Sequence, residues 1–513
     1  MKAKAGYSWL IERYQLPVID LWQHCYIDSA TNGRQVQKLG GHQVQLFAPR
    51  YQPEETPVSH LQFALRYEGL NLQTLSLLFE QLEAAALGEW ITENPTSAYA
   101  RRGCFLYEWL VGKVLPIDDP VPGKMRYVDA VDTGQQFAPE LGEKTPRFRV
   151  TNNLPGTPAF CPMVRKTDML AGMVNKDLRQ RTRKTLERYD QDLLRRAAAF
   201  LYLKETQSSF EVEREKPSPN RAERFADLLR QADTGQPLTE ERLVELQNAI
   251  IDPRFHEFGW RHLQNWVGED LGYRKRVEFV PARPEDLETL MQGLLETAAR
   301  ARIESSEFDR DANGESLPFD PVIYAAIIAF GFVFIHPFMD GNGRIHRYLI
   351  HEVLANAGFT PKGIVLPVSA VILANLDEYV AVLQAFSRPL RGRTQYAPDA
   401  PEVPATGNDA VYFRFFDATP QAEFLYRALE RTVEEDLQQE IEFLLGFDRA
   451  RQQLNQLLDW PGHDLDLFIR VVHQNGGHLS ATKRRSHFDW MQDEEIQNAE
   501  AMVAAAFEGL STG

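Results

Sequence analysis

The chain holds 513 residues with a formal charge of −16 and an isoelectric point near 5.3, a balance that argues against a general nucleic-acid binder. A hydrophobic content of 43% is ordinary for a globular protein, and the length leaves room for roughly two to four domains. Cys25, Cys104 and Cys161 are odd in number, far apart and without metal-ligand spacing, which points to a reducing, cytoplasmic setting and to small buried thiols.

In chain order, the N-terminus carries lysines but no long apolar core, so no signal peptide is expected. Residues 1–195 read as a mostly helical region with no motif tied to chemistry. A helix is expected over Leu61–Leu82, a second apolar stretch over Phe105–Val114, and short strand-like pieces at Tyr127–Val131 and Phe148–Val150. From Arg165 to Arg196, bases alternate with acids and apolar residues, which reads as a solvated helix face. Helix formers fill Ala197–Glu215, and Pro217 and Pro219 stop it; Ser209 and Glu213, four apart, share a face. Leu238–Ile251 reads as a helix, and the extended runs His262–Gly268 and Arg276–Pro284 suggest a hairpin. Glu285–Arg302 is a further helix and Glu304–Leu317 a polar loop. Pro321–Ile335 is almost wholly apolar and too short to span a bilayer, so it reads as a buried helix, with another over Tyr348–Phe359. Asp377–Ser387 is helical and carries Tyr379, Pro389–Asp409 is a linker or surface arm, and Pro420–Leu458 fits one or two amphipathic helices. Leu465–Arg485 reads as part of a small helical cap; its alternative is a helix-turn-helix, which would make nucleic acid a partner.

Between the two buried helices lies H-P-F-M-D-G-N-G-R-I-H-R, from His336 to Arg347. Each residue type suits one task on a phosphate ester. Gly341 and Gly343 let the backbone approach an anion, and the following helix points its N-terminus at the same place. Arg344 and Arg347, three apart, can clamp one polyphosphate. Asp340 is a hard oxygen ligand suited to Mg2+, and His336 can accept a proton near neutral pH. Phe338 reads as a packing anchor for the loop.

This stretch resembles the signature of the Fic family, H-x-F-x-[D/E]-G-N-G-R-x-x-R, at every fixed position. The resemblance covers Ala197–Arg388 and implies a mainly α fold: a helical core over 196–395 with a small β-hairpin flap at 262–284, flanked by extensions at 1–195 and 396–513. It implies transfer of AMP from ATP to a Ser, Thr or Tyr hydroxyl of a protein, with Mg2+, and with the enzyme itself as a further target. His336 would be the base and Asp340 the metal ligand. The nucleotide would meet Gly341, Asn342, Gly343, Arg344 and Arg347, with Val267 and Gly268 from the flap and Tyr379 stacking near the adenine. The flap would hold the target backbone by strand addition. Ser209 to Arg214 is similar to the family's inhibitory motif, [S/T]-x-x-x-E-[G/N], with Arg214 in the last position. Glu213 would pair with Arg347 and keep ATP from a productive pose. Ala64–Gly69 is a poorer match that offers Glu68 as another inhibitory acid. The alternatives are another donor or AMP removal in the same pocket, or a non-enzymatic, nucleotide-sensing DNA-binding regulator.

Overall fold

The first fifty residues build a sheet. In this computed structural model, which describes residues 2–19, 21–39, 42–308, 319–400, 403–461, 463–508 and 510, strands β1 (Lys2–Ala5), β2 (Gln23–Asp28), β3 (Arg34–Leu39) and β4 (His42–Phe47) lie in the order β1-β2-β4-β3. β2 runs parallel to β4 and the other pairs are antiparallel. This corrects the mostly helical reading of the N-terminal region. The signal was weak because β2 turns Gln23, Cys25 and Ile27 inward, while the central apolar residue of β3, Val36, is exposed. Helices Pro57–Tyr67, Leu72–Phe79, Ala84–Glu93 and Ala98–Val111 supply most of the neighbouring core. The single helix expected over Leu61–Leu82 is broken after Tyr67, and Asn71 caps the second piece by accepting from the Thr74 amide.

Downstream the chain is mainly α; among the described residues helix accounts for 55%. In order come α1 (Gln191–Val212), α2 (Glu240–Ile250), the hairpin β5 (Val267–Asp270) and β6 (Lys275–Phe279), α3 (Pro284–Phe308), α4 (Pro321–Ile335) and α5 (Asn342–Asn356). Then follow α6 (Val368–Ala374), α7 (Leu376–Arg391), α8 (Leu437–Leu457), α9 (Asp464–Gln474), α10 (Ala481–His487) and α11 (Asp493–Phe507). The polar loop expected over Glu304–Leu317 begins inside α3, and from residue 309 on it lies outside the described residues. Among the described residues no single helix is long and apolar enough to cross a membrane.

Two units divide the chain, and they do not follow the expected boundaries. One comprises Met1–Lys176, Pro219–Gly358 and Asn375–Tyr426; the other comprises Asp177–Ser218, Phe359–Ala374 and Arg427–Gly513. In the first, α4 is buried along nearly its whole length against α5. Arg242 of α2 fixes the outer end of α5, pairing with Glu352 at 3.3 Å and donating to the Tyr348 hydroxyl at 2.9 Å.

In the second unit α1 packs with α6 and α8. Buried Glu205 accepts from the Ser369 amide at 2.8 Å and from the Ser369 hydroxyl. Lys204 joins Asp436 and Glu440 at 2.9 and 2.8 Å. Two bases of the preceding stretch make such pairs: Arg181 meets Glu430 and Glu434, and Arg196 meets Asp448. A six-residue turn separates α9 from α10. α10 buries none of its own residues, and its Arg484 pairs with Asp493 of α11.

Candidate active site

The loop between α4 and α5 is held by its own backbone. α4 starts where Asp320 accepts from the Val322 and Ile323 amides, with Pro321 at its first position. It ends because His336 takes a left-handed conformation, φ 59 and ψ 61, directly before Pro337. Phe338 is fully buried beside Trp260 and Phe332, as its reading as an anchor required. Asn342 spends its side chain on Phe338: Oδ1 accepts from the Phe338 amide at 3.1 Å and Nδ2 donates to its carbonyl at 2.8 Å. Asn265 donates to the same carbonyl at 3.0 Å. The Asn342 carboxamide therefore braces the loop, and what Asn342 offers an anion is its backbone amide at the start of α5.

The reactive groups face different constraints. His336 Nδ1 lies 3.1 Å from the Val333 carbonyl, which can only accept. The neutral ring therefore carries its proton on Nδ1 and its lone pair on Nε2. Gly341 has φ 91, and a Cβ there would come within 3.1 Å of Ile251, so glycine alone fits. α5 begins with no side-chain cap, which leaves its first-turn amides to the loop mouth. The Gly341 amide, however, donates to Asp340 Oδ1 at 2.6 Å. This narrows the anion nest expected over Gly341–Gly343 to the Asn342 and Gly343 amides. Arg344 also reaches Asp340 Oδ1, at 3.3 Å. Arg344 and Arg347, 3% and 1% exposed, sit one turn apart on α5 inside the protein rather than on a surface face.

Asp340 itself is exposed. A second acid lies nearby: Glu257 accepts from the Met339 amide at 2.7 Å. Burial raises the Glu257 pKa, the Met339 amide opposes the rise, and the Asp340 charge adds to it. Among the described residues no group of three or more His, Cys, Asp or Glu forms a metal cage. One exposed carboxylate at a helix N-terminus still fits Mg2+, which keeps waters and takes phosphate oxygens as its other ligands.

The predicted hairpin is present at β5 and β6, with a bulge at Val267 and Gly268. Gly268 is required there, because a Cβ would fall 1.9 Å from the Arg276 carbonyl oxygen. Every residue of β5 is exposed. Of the two readings of Pro389–Asp409, a linker or a surface arm, the structure has the arm, which lies against this hairpin. Lys275 meets Asp399 at 3.1 Å and the Pro398 carbonyl at 3.2 Å, and Arg391 donates to the Val277 carbonyl at 3.3 Å. Phe258 is 98% exposed, and Leu263, Tyr273 and Met339 are exposed as well, which gives the loop and hairpin an apolar rim. Tyr379 departs from its expected role. It is buried, its ring stacked on His346 with centroids 6.1 Å apart and tilted against Phe424 at 5.8 Å. That makes it a packing residue of α7 rather than an open platform for adenine.

Ser209 is buried on α1, and Glu213 caps the C-terminal end of that helix. Arg214 follows with φ 56. The position where the inhibitory motif has Gly or Asn is thus the left-handed one, and here an arginine adopts it. Glu68 is committed elsewhere: its Oε1 accepts from the Tyr7 amide at 2.9 Å, and its Oε2 is buried. Arg261, Asn265 and Glu257 were missed by sequence reasoning. They act on backbone groups about 75 positions away, and no spacing rule links them to the loop.

Residues 237–354 match the Fic/DOC family, so the chain carries a Fic domain there. Within it, 83 residues are 41% identical to the protein adenylyltransferase Fic of Drosophila yakuba and 40% identical to that of Drosophila melanogaster. Those 83 residues are 16% of this chain and 14% of each relative, so the chain spans about a seventh of the length of the curated relatives it matches. A Fic family protein from Desulfovibrio desulfuricans G20 superposes with a TM-score of 0.36 at 18% identity, over 67% of this chain and 86% of that one. A Fic domain containing signaling protein from Bacteroides thetaiotaomicron gives 0.33 at 20% identity, over 52% and 96%.

Proposed function

We propose that this protein transfers AMP from ATP to a Ser, Thr or Tyr hydroxyl of a target protein, itself included, and releases pyrophosphate. The observation that carries the reading is the tautomer of His336 set by Val333, on the loop that leads into an uncapped helix whose first turns carry two buried arginines. The target hydroxyl oxygen attacks the α-phosphorus in line, and its proton passes to His336 Nε2. The bond from the α-phosphorus to the bridging oxygen breaks, and pyrophosphate leaves with that electron pair. The Asn342 and Gly343 amides receive the α-phosphate oxygens, and Arg344 and Arg347 hold the leaving phosphates. Asp340 would hold Mg2+, which neutralises phosphate charge when bound. The exposed edge of β5 takes an extended target segment as an added strand. Three unpaired, buried cysteines suit a cytoplasmic setting.

The test is incubation of the purified protein and a cell lysate with labelled ATP, read by mass spectrometry for a 5′-AMP adduct. His336→Ala should lose transfer by about 100-fold or more, the contribution of a positioned base, while ATP binding and thermal midpoint stay near wild type. Activity within a few-fold of wild type would remove the histidine from the mechanism. An adduct other than AMP would replace the donor but keep the site.

A further inference from the structure

We propose that Arg261 is a positioning residue: it holds the His336 backbone in its left-handed conformation and so aims Nε2 at the target hydroxyl. This rests on the transferase reading above. His336 is not glycine and precedes a proline, two reasons for its backbone to leave the conformation it has. Such a conformation persists only where its surroundings over-determine it. Arg261 supplies those surroundings from both its main chain and its side chain. Its amide donates to the Pro337 carbonyl at 2.9 Å, and Nε donates to the His336 carbonyl at 2.9 Å. Nη1 donates to the Leu263 carbonyl at 2.8 Å, and Nη2 donates to the Ala282 carbonyl. Leu263 and Ala282 lie on the two approaches to the hairpin, so one guanidinium ties the base of the flap to the catalytic loop. Arg261 is 3% exposed, a buried cation satisfied by backbone carbonyls. Only a planar fork with five donors can meet three carbonyls in different directions; lysine presents a point charge.

The experiment compares wild type, Arg261→Ala and Arg261→Lys in three measurements: transfer kinetics, ATP binding, and the nitrogen-15 NMR signals of the His336 ring. Wild type should show a single Nδ1–H tautomer. Both variants should show averaged tautomers and a kcat lower by about 100-fold, with ATP affinity nearly kept, because a misplaced base costs the chemical step and not the binding step. Should Arg261→Ala fail to fold, Arg261→Lys decides alone. Full kcat in Arg261→Lys would overturn the proposal, as would a fallen kcat with an unchanged His336 tautomer. Absence of any transfer by wild type would reject the transferase reading, and the tautomer measurement would still decide whether Arg261 positions the ring.

Discussion

Glu68→Gln should remove an alkaline weakness from the N-terminal region. Two successive amides at the entry to the helix Tyr7–Tyr14 are met by buried groups: the Gly6 amide donates to His60 Nδ1 at 3.2 Å and the Tyr7 amide donates to Glu68 Oε1 at 2.9 Å. Burial pushes the Glu68 carboxyl up from 4.5 to about 8, and burial pushes His60 down from 6.5 to about 4. A carboxyl raised on folding contributes stability that is fully present below its unfolded value and is lost as pH rises toward the folded one. A histidine lowered on folding contributes stability that is present above 6.5 and is lost as pH falls toward 4. The two oppose each other between 4.5 and 6.5, and between 6.5 and 8 only Glu68 acts. At about 1.4 kcal/mol per pH unit, that last interval removes about 2 kcal/mol. For a domain of 150–250 residues this would lower the midpoint by roughly 4–8 °C, and for the larger unit that contains Glu68 the fall is correspondingly smaller. Calorimetry of wild type between pH 6.5 and 8 should show that fall, and Glu68→Gln, which keeps the acceptor oxygen and cannot ionise, should be flat. Equal slopes in the two proteins would refute the claim that the Glu68 carboxyl is neutral in the fold.

Two further outcomes follow from the site. Asp340→Ala should weaken ATP binding with Mg2+ more than without it, by titration calorimetry; it also releases the Gly341 amide, so metal-free binding should hold or rise, and equal loss in both would make Asp340 a purely structural residue. Glu213→Gly should raise self-modification and target modification in intact-mass measurements, and adding Arg347→Ala should cancel that gain. It should also cost little stability, because glycine relieves nothing but tolerates the C-terminal end of α1; unchanged modification in an active preparation would reject the inhibitory assignment.

The chemistry was legible because it sits in twelve consecutive residues. His336, Asp340, Gly341 and the two arginines are brought together by a single turn between two helices, and local spacing suffices to place them. Helix periodicity also found α2, α4, α5 and α7. What stayed hidden depends on contacts with no local period. Arg261, Asn265 and Glu257 serve carbonyls and amides on a distant loop, and any backbone looks alike in a sequence. Asn342 read as a ligand because its neighbours are, yet its carboxamide is turned onto Phe338. Tyr379 carried the right chemistry for stacking, but its partner is the buried His346. β3 hid behind polar residues, since its described side chains, Arg34 to Lys38, are all exposed and no buried face marks it.

The arm after α7 bears on how such a catalytic segment can be exchanged between proteins. The family match covers residues 237–354, whereas the contacts that steady the hairpin come from Arg391, Pro398 and Asp399. A transplant of 237–354 alone would carry the histidine and the arginines but leave the hairpin without its brace. The smallest portable piece therefore runs past α7, because the brace of the hairpin lies beyond the matched segment.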